Sequence, residues 1–242
     1  MRQAGFQFIR NRGILFALFT LLLSPPWSIP ARAQESRPPT KGVKESPSAI
    51  WEKDIEAFEK ADQKSPPPQG AILFIGSSST RMWKTLAQDF PNHQVINRGF
   101  GGSQIADSVY YADRIVIPYR PKMIILQVGG NDINAGKTPE QVLADFKAFV
   151  RKVRAKLPDT RIAFLSINPS PIRWAQAERE KRANQLIKEY ILSGRNLDYI
   201  DLWDQFLDSE GKPREDLFLP DRLHNNAKGY KIRAEVVRPH LM

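Results

Sequence analysis

The chain has 242 residues, 36 Lys and Arg against 26 Asp and Glu for a formal net charge of +10, and no cysteine. The absence of thiols excludes disulfides, thiolate catalysis and cysteine-built metal or lipid sites. The charge does not form a nucleic-acid stripe, because signs alternate along the predicted helices, as in Arg179-Glu180-Lys181-Arg182, which reads as a solvated face.

In chain order, residues 1–33 read as a secretory leader. Arg2, Arg10 and Arg12 are its basic start, Ile14 to Leu23 its apolar run, and Ala31-Arg32-Ala33 a small-x-small cleavage pattern. The alternative, an uncleaved anchor, is disfavoured because the run falls short of the roughly 20 residues that span a bilayer. Cleavage after Ala33 would export the protein, to the periplasm or beyond, with no stable membrane anchor. It would also remove four arginines and leave 32 basic against 26 acidic residues, +6. Residues 34–45, polar with prolines, are predicted to be a disordered linker. Residues 46–69 form a helical extension and a proline-rich linker. Ser46 and Pro47 open a helix whose Trp51, Ile55 and Phe58 share one face, and Pro66-Pro67-Pro68 sets it off as a flap outside the main sheet.

Residues 70–242 carry alternating strand and helix patterns. The predicted strands are Ala71 to Ile75, Gln94 to Ile96, Met123 to Val128, Ile162 to Ile167 and Leu197 to Ile200. The clearest helix is Thr138 to Lys156, with Thr138, Pro139 and Gln141 as its N-terminal signal. Others run from about Trp174 to Leu192 and onward from Asn225. Five apolar strands with intervening helices predict an α/β domain, a three-layer α/β/α sandwich around a five-stranded parallel sheet, flavodoxin-like in appearance.

In such sheets chemistry gathers at the carboxyl ends of the strands. Gly76-Ser77-Ser78-Ser79 follows the first strand, Asn97 to Ser103 the second and Gly129-Gly130-Asn131-Asp132 the third, while Asp221-Arg222-Leu223-His224 precedes the last helix. Alone, the first reads as a loop with a helix cap and the last as a surface turn; it is their coincidence at strand ends that points to an enzyme. A serine at a helix N-terminus is well placed for an oxyanion, and His224 is the histidine placed to remove its proton. Asp221 can hold that imidazole in the right tautomer. The Gly101-Gly102 turn offers backbone N–H groups, and Asn131 offers a neutral donor. Three consecutive serines compete for the nucleophile role; the position after Gly-x favours Ser78. Gln104 stands where a dinucleotide loop needs its third glycine, and no H-E-x-x-H occurs, so neither a dinucleotide nor a metal site is predicted. Asp132 reads as a residue bonding its own turn, His93 as an exposed turn and His240 as a frayed terminus.

The four stretches together resemble the SGNH hydrolase superfamily of GDSL-like esterases and lipases, and the Asn97 to Gly102 block is similar to that of the platelet-activating-factor acetylhydrolase subunits. The resemblance places the nucleophile at Ser78, the base at His224 and its partner at Asp221. It implies an oxyanion hole made of the Ser78 and Gly102 N–H groups with the Asn131 side chain. The usual aspartate of the first block is Ser77 here. The resemblance implies hydrolysis of a carboxylic ester through an acyl-serine, on a small-molecule or glycan ester with a short acyl group such as acetyl, and no cofactor. An O-acyltransferase with the same triad, or a binding module on the same fold, are the alternatives.

Overall fold

The computed structural model describes residues 46–241, so the predicted leader and linker lie outside the described residues. Five parallel strands, β1 (Ile72–Gly76), β2 (Val95–Gly99), β3 (Met123–Gln127), β4 (Arg161–Leu165) and β5 (Leu197–Ile200), form one sheet in the order β2-β1-β3-β4-β5. Interspersed are α1 (Glu52–Lys64), α2 (Ser78–Arg81), α3 (Leu86–Asp89), α4 (Ile105–Tyr110), α5 (Ala112–Ile115), α6 (Gly130–Asn134), α7 (Pro139–Arg154), α8 (Ala177–Leu192) and α9 (Ala227–Val237).

The period of two along each strand sorts the core into two halves. Leu73, Ile75, Ile124, Leu126, Ile162 and Phe164 face the layer built from α1, α4, α5, α7 and α8. Ile72, Phe74, Met123, Ile125, Ala163 and Leu165 face the opposite layer, where Trp83, Phe90, Tyr230, Ala234 and Val237 pack. Burial on both sides is why these strands read as unbroken apolar runs. α7 shows how sequence sets an element. Gln141 N–H donates to Thr138 Oγ1 at 3.3 Å, and Thr138 N–H donates back to Gln141 Oε1 at 2.8 Å. Pro139 starts the helix without wasting a donor, and Arg151, Lys152 and Arg154 meet the negative end of its dipole. Val142, Phe146, Phe149 and Val153 are fully buried on its inner face. Each such side chain is worth about 1.5–3 kcal/mol on transfer from water.

Four expectations change. β2 runs on to Gly99 because it is an edge strand, where Asn97 can stay half-exposed and Arg98 finds internal partners. The predicted helix from Trp174 begins instead as a 3-10 turn, Pro171–Gln176, and becomes α-helical only at Ala177. α1 is more closely integrated than a flap. Ile55 is fully buried in the core, and Asp62 pairs with Arg98 while accepting from the Tyr119 hydroxyl at 2.5 Å. His240 is likewise held rather than frayed, its Nδ1 lying 2.8 Å from Asp198 Oδ2.

The strand order reverses between β1 and β3, whose crossovers leave on opposite faces. That opens a crevice at their carboxyl ends. Ser78 follows β1 and Asn131 follows β3.

Candidate active site

The turn that carries Ser78 exists because β1 ends on glycine. A side chain at Gly76 would start 2.0 Å from the Gln127 carbonyl oxygen of β3, so only glycine lets the two strand ends come this close. Beyond it the Ser77 carbonyl accepts the N–H groups of Thr80 and Arg81, which winds α2 and leaves Ser78 at its first position. Of the three adjacent serines, Ser78 is the one whose hydroxyl meets the histidine. His224 Nε2 lies 2.9 Å from Ser78 Oγ, and His224 Nδ1 lies 2.7 Å from Asp221 Oδ2.

The loop from Asp221 to His224 is built to hold that ring. Asp221 Oδ1 accepts the backbone N–H groups of Leu223 and His224, both at 2.9 Å, while Arg222 takes a left-handed conformation with φ 57°. Partial desolvation works against the Asp221 charge. The imidazole and the two N–H groups outweigh it and hold the carboxyl down at about 2. It is therefore anionic throughout the neutral range. Behind the ring, Asn225 is buried and accepts from Arg233 Nε at 2.5 Å, and Asn226 Oδ1 caps α9 through Lys228 and Gly229.

Ser78 and Asn131 line one cavity, while Gly102 lines a separate groove. The backbone N–H groups of Ser78 and Gly102 make no hydrogen bond among the described residues. Gly102 has φ 82°, and its missing side chain leaves room for the Trp51 ring, which would lie 3.0 Å from a β-carbon there. Asn131 Nδ2 donates to the Ser103 carbonyl at 3.0 Å, and its Oδ1 accepts from Arg173 Nη2 at 3.0 Å, so the amide is fixed with its nitrogen toward the glycine turn. Asp132 does more than bond its own turn. Fully buried, it pairs with Lys137 at 2.8 Å and accepts the Ile105 N–H that opens α4. Burial lifts it to about 6 against the pull of Lys137.

Beside Ser78 lies a cavity of about 50 Å³ lined by Gln127, Asn131, Asn168, Ser170, Arg173 and Glu180, among others. The loop after β4, Asn168 to Trp174, supplies three of these, but Trp174 turns away to Lys212. Glu180, assigned by sequence to a solvated face, is only 2% exposed. Its signal was helical spacing, for it shares the buried face of α8 with Ala177, Ala183, Asn184 and Ile187. Burial raises Glu180 from the ordinary 4.5 to about 7, against the weaker pull of Gln176 and Arg173. A carboxyl raised this way stabilises the fold fully below about pH 4.5, and that contribution is lost as pH climbs through 7. Glu180→Gln is therefore expected to be more stable than the parent at pH 8 by on the order of 2–3 kcal/mol. The gain should vanish at pH 4, read from denaturant midpoints at the two pH values. Among the described residues no cluster of three His, Asp or Glu side chains is placed to hold a metal ion.

The profile of the GDSL-like lipase/acylhydrolase family matches residues 71–232, which include Ser78, Gly102, Asn131, Asp221 and His224. The chain belongs to that family. It is a carboxylic ester hydrolase of α/β/α architecture. No curated protein matches the chain. Among solved structures it is similar to a Streptococcus pneumonia protein named for platelet activating factor, at 22% identity and TM-score 0.71 over 80% of this chain and 94% of that one. It is similar to a GDSL-like lipase of Bacteroides thetaiotaomicron at 16% identity and TM-score 0.65, over 77% and 96%. It is also similar to a carbohydrate esterase family 3 structure from Talaromyces cellulolyticus at 17% identity and TM-score 0.58, over 70% and 94%. At these identities the likeness speaks for the fold.

Proposed function

We propose that this GDSL-like hydrolase is an exported esterase that removes short acyl groups, such as acetyl, from small-molecule or glycan alcohols through an acyl-serine intermediate. The observation that carries the reading is the continuous contact from Asp221 through His224 to the Ser78 hydroxyl, at 2.7 and 2.9 Å. His224 Nε2 takes the Ser78 proton as Oγ bonds to the ester carbon. The oxyanion so formed is met by the free N–H groups of Ser78 and Gly102 and by Asn131. Collapse breaks the bond to the alcohol oxygen, which takes the proton from His224; water then adds to the acyl carbon as it loses a proton to His224, the bond to Ser78 Oγ breaks, and His224 returns the proton to Ser78 as the acid leaves.

The short-acyl part is supported by size. The cavity beside Ser78 measures about 50 Å³, where a single water takes roughly 10–15 Å³ by the same measure. A wider groove of about 620 Å³, lined by Ile50, Trp51, Tyr110 and Gly102, gives a bulkier alcohol portion room on the other side of the glycine turn. Export rests on the leader pattern of residues 1–33.

Asn131→Ala is expected to lower kcat by about 100- to 1,000-fold with little change in KM, the usual cost of one oxyanion donor. A fluorophosphonate probe is expected to label the parent protein but not Ser78→Ala. Nitrophenyl esters of rising chain length test the acyl preference; an optimum at eight carbons or longer would reject it.

A further inference from the structure

One cation lines the catalytic cavity, and it is underused. Arg173 sits in the 3-10 turn Pro171–Gln176 between β4 and α8, and Ile172 N–H donates to the Arg222 carbonyl at 3.2 Å, which ties this turn to the His224 loop. The guanidinium is half-buried, and burial disfavours its charge. Its hydrogen bond from Nη2 to Asn131 Oδ1, at 3.0 Å, leaves Nε and Nη1 without a side-chain or backbone acceptor among the described residues. A desolvated cation is costly unless something pairs with it.

Among the described residues no carboxylate lies within ion-pair distance of it. Glu180, the one acid lining the cavity among the described residues, forms no ion pair with Arg173 within 4.0 Å, and its Oε1 accepts from Gln176 instead. Glu180 Oε2 is buried with no partner, and the Glu180 and Arg173 charges act on each other only through space, so the guanidinium donors stay open to a ligand. The remaining walls are mostly polar, with Ser77, Gln127, Asn168 and Ser170 joining Asn131. A plain alkyl chain has little to gain from such a lining.

We propose that this cavity is a carboxylate subsite, in which Arg173 binds a free carboxylate carried by the substrate within a few bonds of the scissile ester. The proposal rests on the esterase reading and names its substrate class, compact esters that bear a negative charge. The carboxylate can sit on the acyl side, as in a half-ester of a short dicarboxylic acid, or on the alcohol side, as in an acetylated hydroxy acid. Arg is suited to either, since its planar fork matches a carboxylate with two donors.

Two matched pairs separate these sources with the full chain: 4-nitrophenyl hydrogen succinate against 4-nitrophenyl methyl succinate, and O-acetyl-lactate against O-acetyl-lactamide. In at least one pair the charged ester is expected to be favoured in kcat/KM by about 10- to 100-fold, the value of a charge-assisted hydrogen bond. Arg173→Gln, which keeps an amide donor for Asn131 but no charge, is expected to bring that ratio close to one. Arg173→Lys should retain part of it. Neutral esters favoured in both pairs, or a charged preference that survives in Arg173→Gln, would overturn the proposal. Calorimetric titration with succinate decides the same point without turnover: binding lost in Arg173→Gln supports the subsite, and no binding to the parent chain refutes it. A protein that binds succinate through Arg173 yet hydrolyses none of the four esters would instead refute the esterase reading.

Discussion

Ser78→Ala is expected to lower kcat toward ester substrates by about a millionfold, to the level left by binding and the oxyanion donors alone. The argument is geometric. Ser77 N–H is spent on the Gln127 carbonyl at 3.3 Å, and the Ser79 carbonyl accepts the Tyr230 hydroxyl at 2.9 Å, so both neighbours are pinned in the turn while Ser78 alone reaches His224. Neither can take over when the hydroxyl is deleted. The fold should be unaffected, because Ser78 lies at the first position of α2 and its side chain caps nothing. Measurement of kcat with 4-nitrophenyl acetate, together with a melting curve to establish an intact fold, checks both halves. Retention of even a hundredth of the parent rate would remove Ser78 from the nucleophile role.

Asp221→Asn is expected to cost about 10³- to 10⁴-fold in kcat with KM little changed. Asp221 uses one oxygen to organise the loop and the other to face the ring. The Asn carbonyl can keep the N–H groups of Leu223 and His224, but its NH₂ then points at His224 Nδ1. That turns Nδ1 into an acceptor and puts the imidazole proton on Nε2, where it meets Ser78 and cannot take a proton from it. The range reaches below that of a buried triad because the Asp221 side chain is 47% exposed, so water can partly stand in for it. Kinetics with a structure of the variant would separate a wrong tautomer from a displaced loop; an unchanged kcat would mean the carboxylate only shapes the turn.

The sheet and the four strand-end blocks were legible because both follow from local rules. Buried parallel strands must be apolar on both faces, and the residues that need special backbone, Gly76 and Gly102, can only be glycine. What escaped depends on which residues meet across long sequence distances. Arg98 reads as part of the loop after the second strand, yet it is buried against Asp62, 36 residues earlier, and that contact brings α1 into the body. Glu180 reads as one charge among four in a row, and its neighbours Arg179, Lys181 and Arg182 are indeed exposed; only the helical phase sets it apart. Arg173 reads only as one residue of a proline-rich loop after the fourth strand. Its grip on Asn131 is not legible there, since nothing in a sequence says which way an amide faces.

Ser78 and His224 stand 146 residues apart, and the loop that carries the ring leads directly into Asn225 and α9. A polypeptide made from its amino end therefore carries its nucleophile through the addition of 146 more residues before the base that activates it exists. Any chain cut short before residue 224 is chemically idle, however much of the sheet it has assembled. The first turnover thus marks completed assembly, and in refolding work ester cleavage would report the final docking of the carboxyl-terminal helix rather than the formation of the sheet.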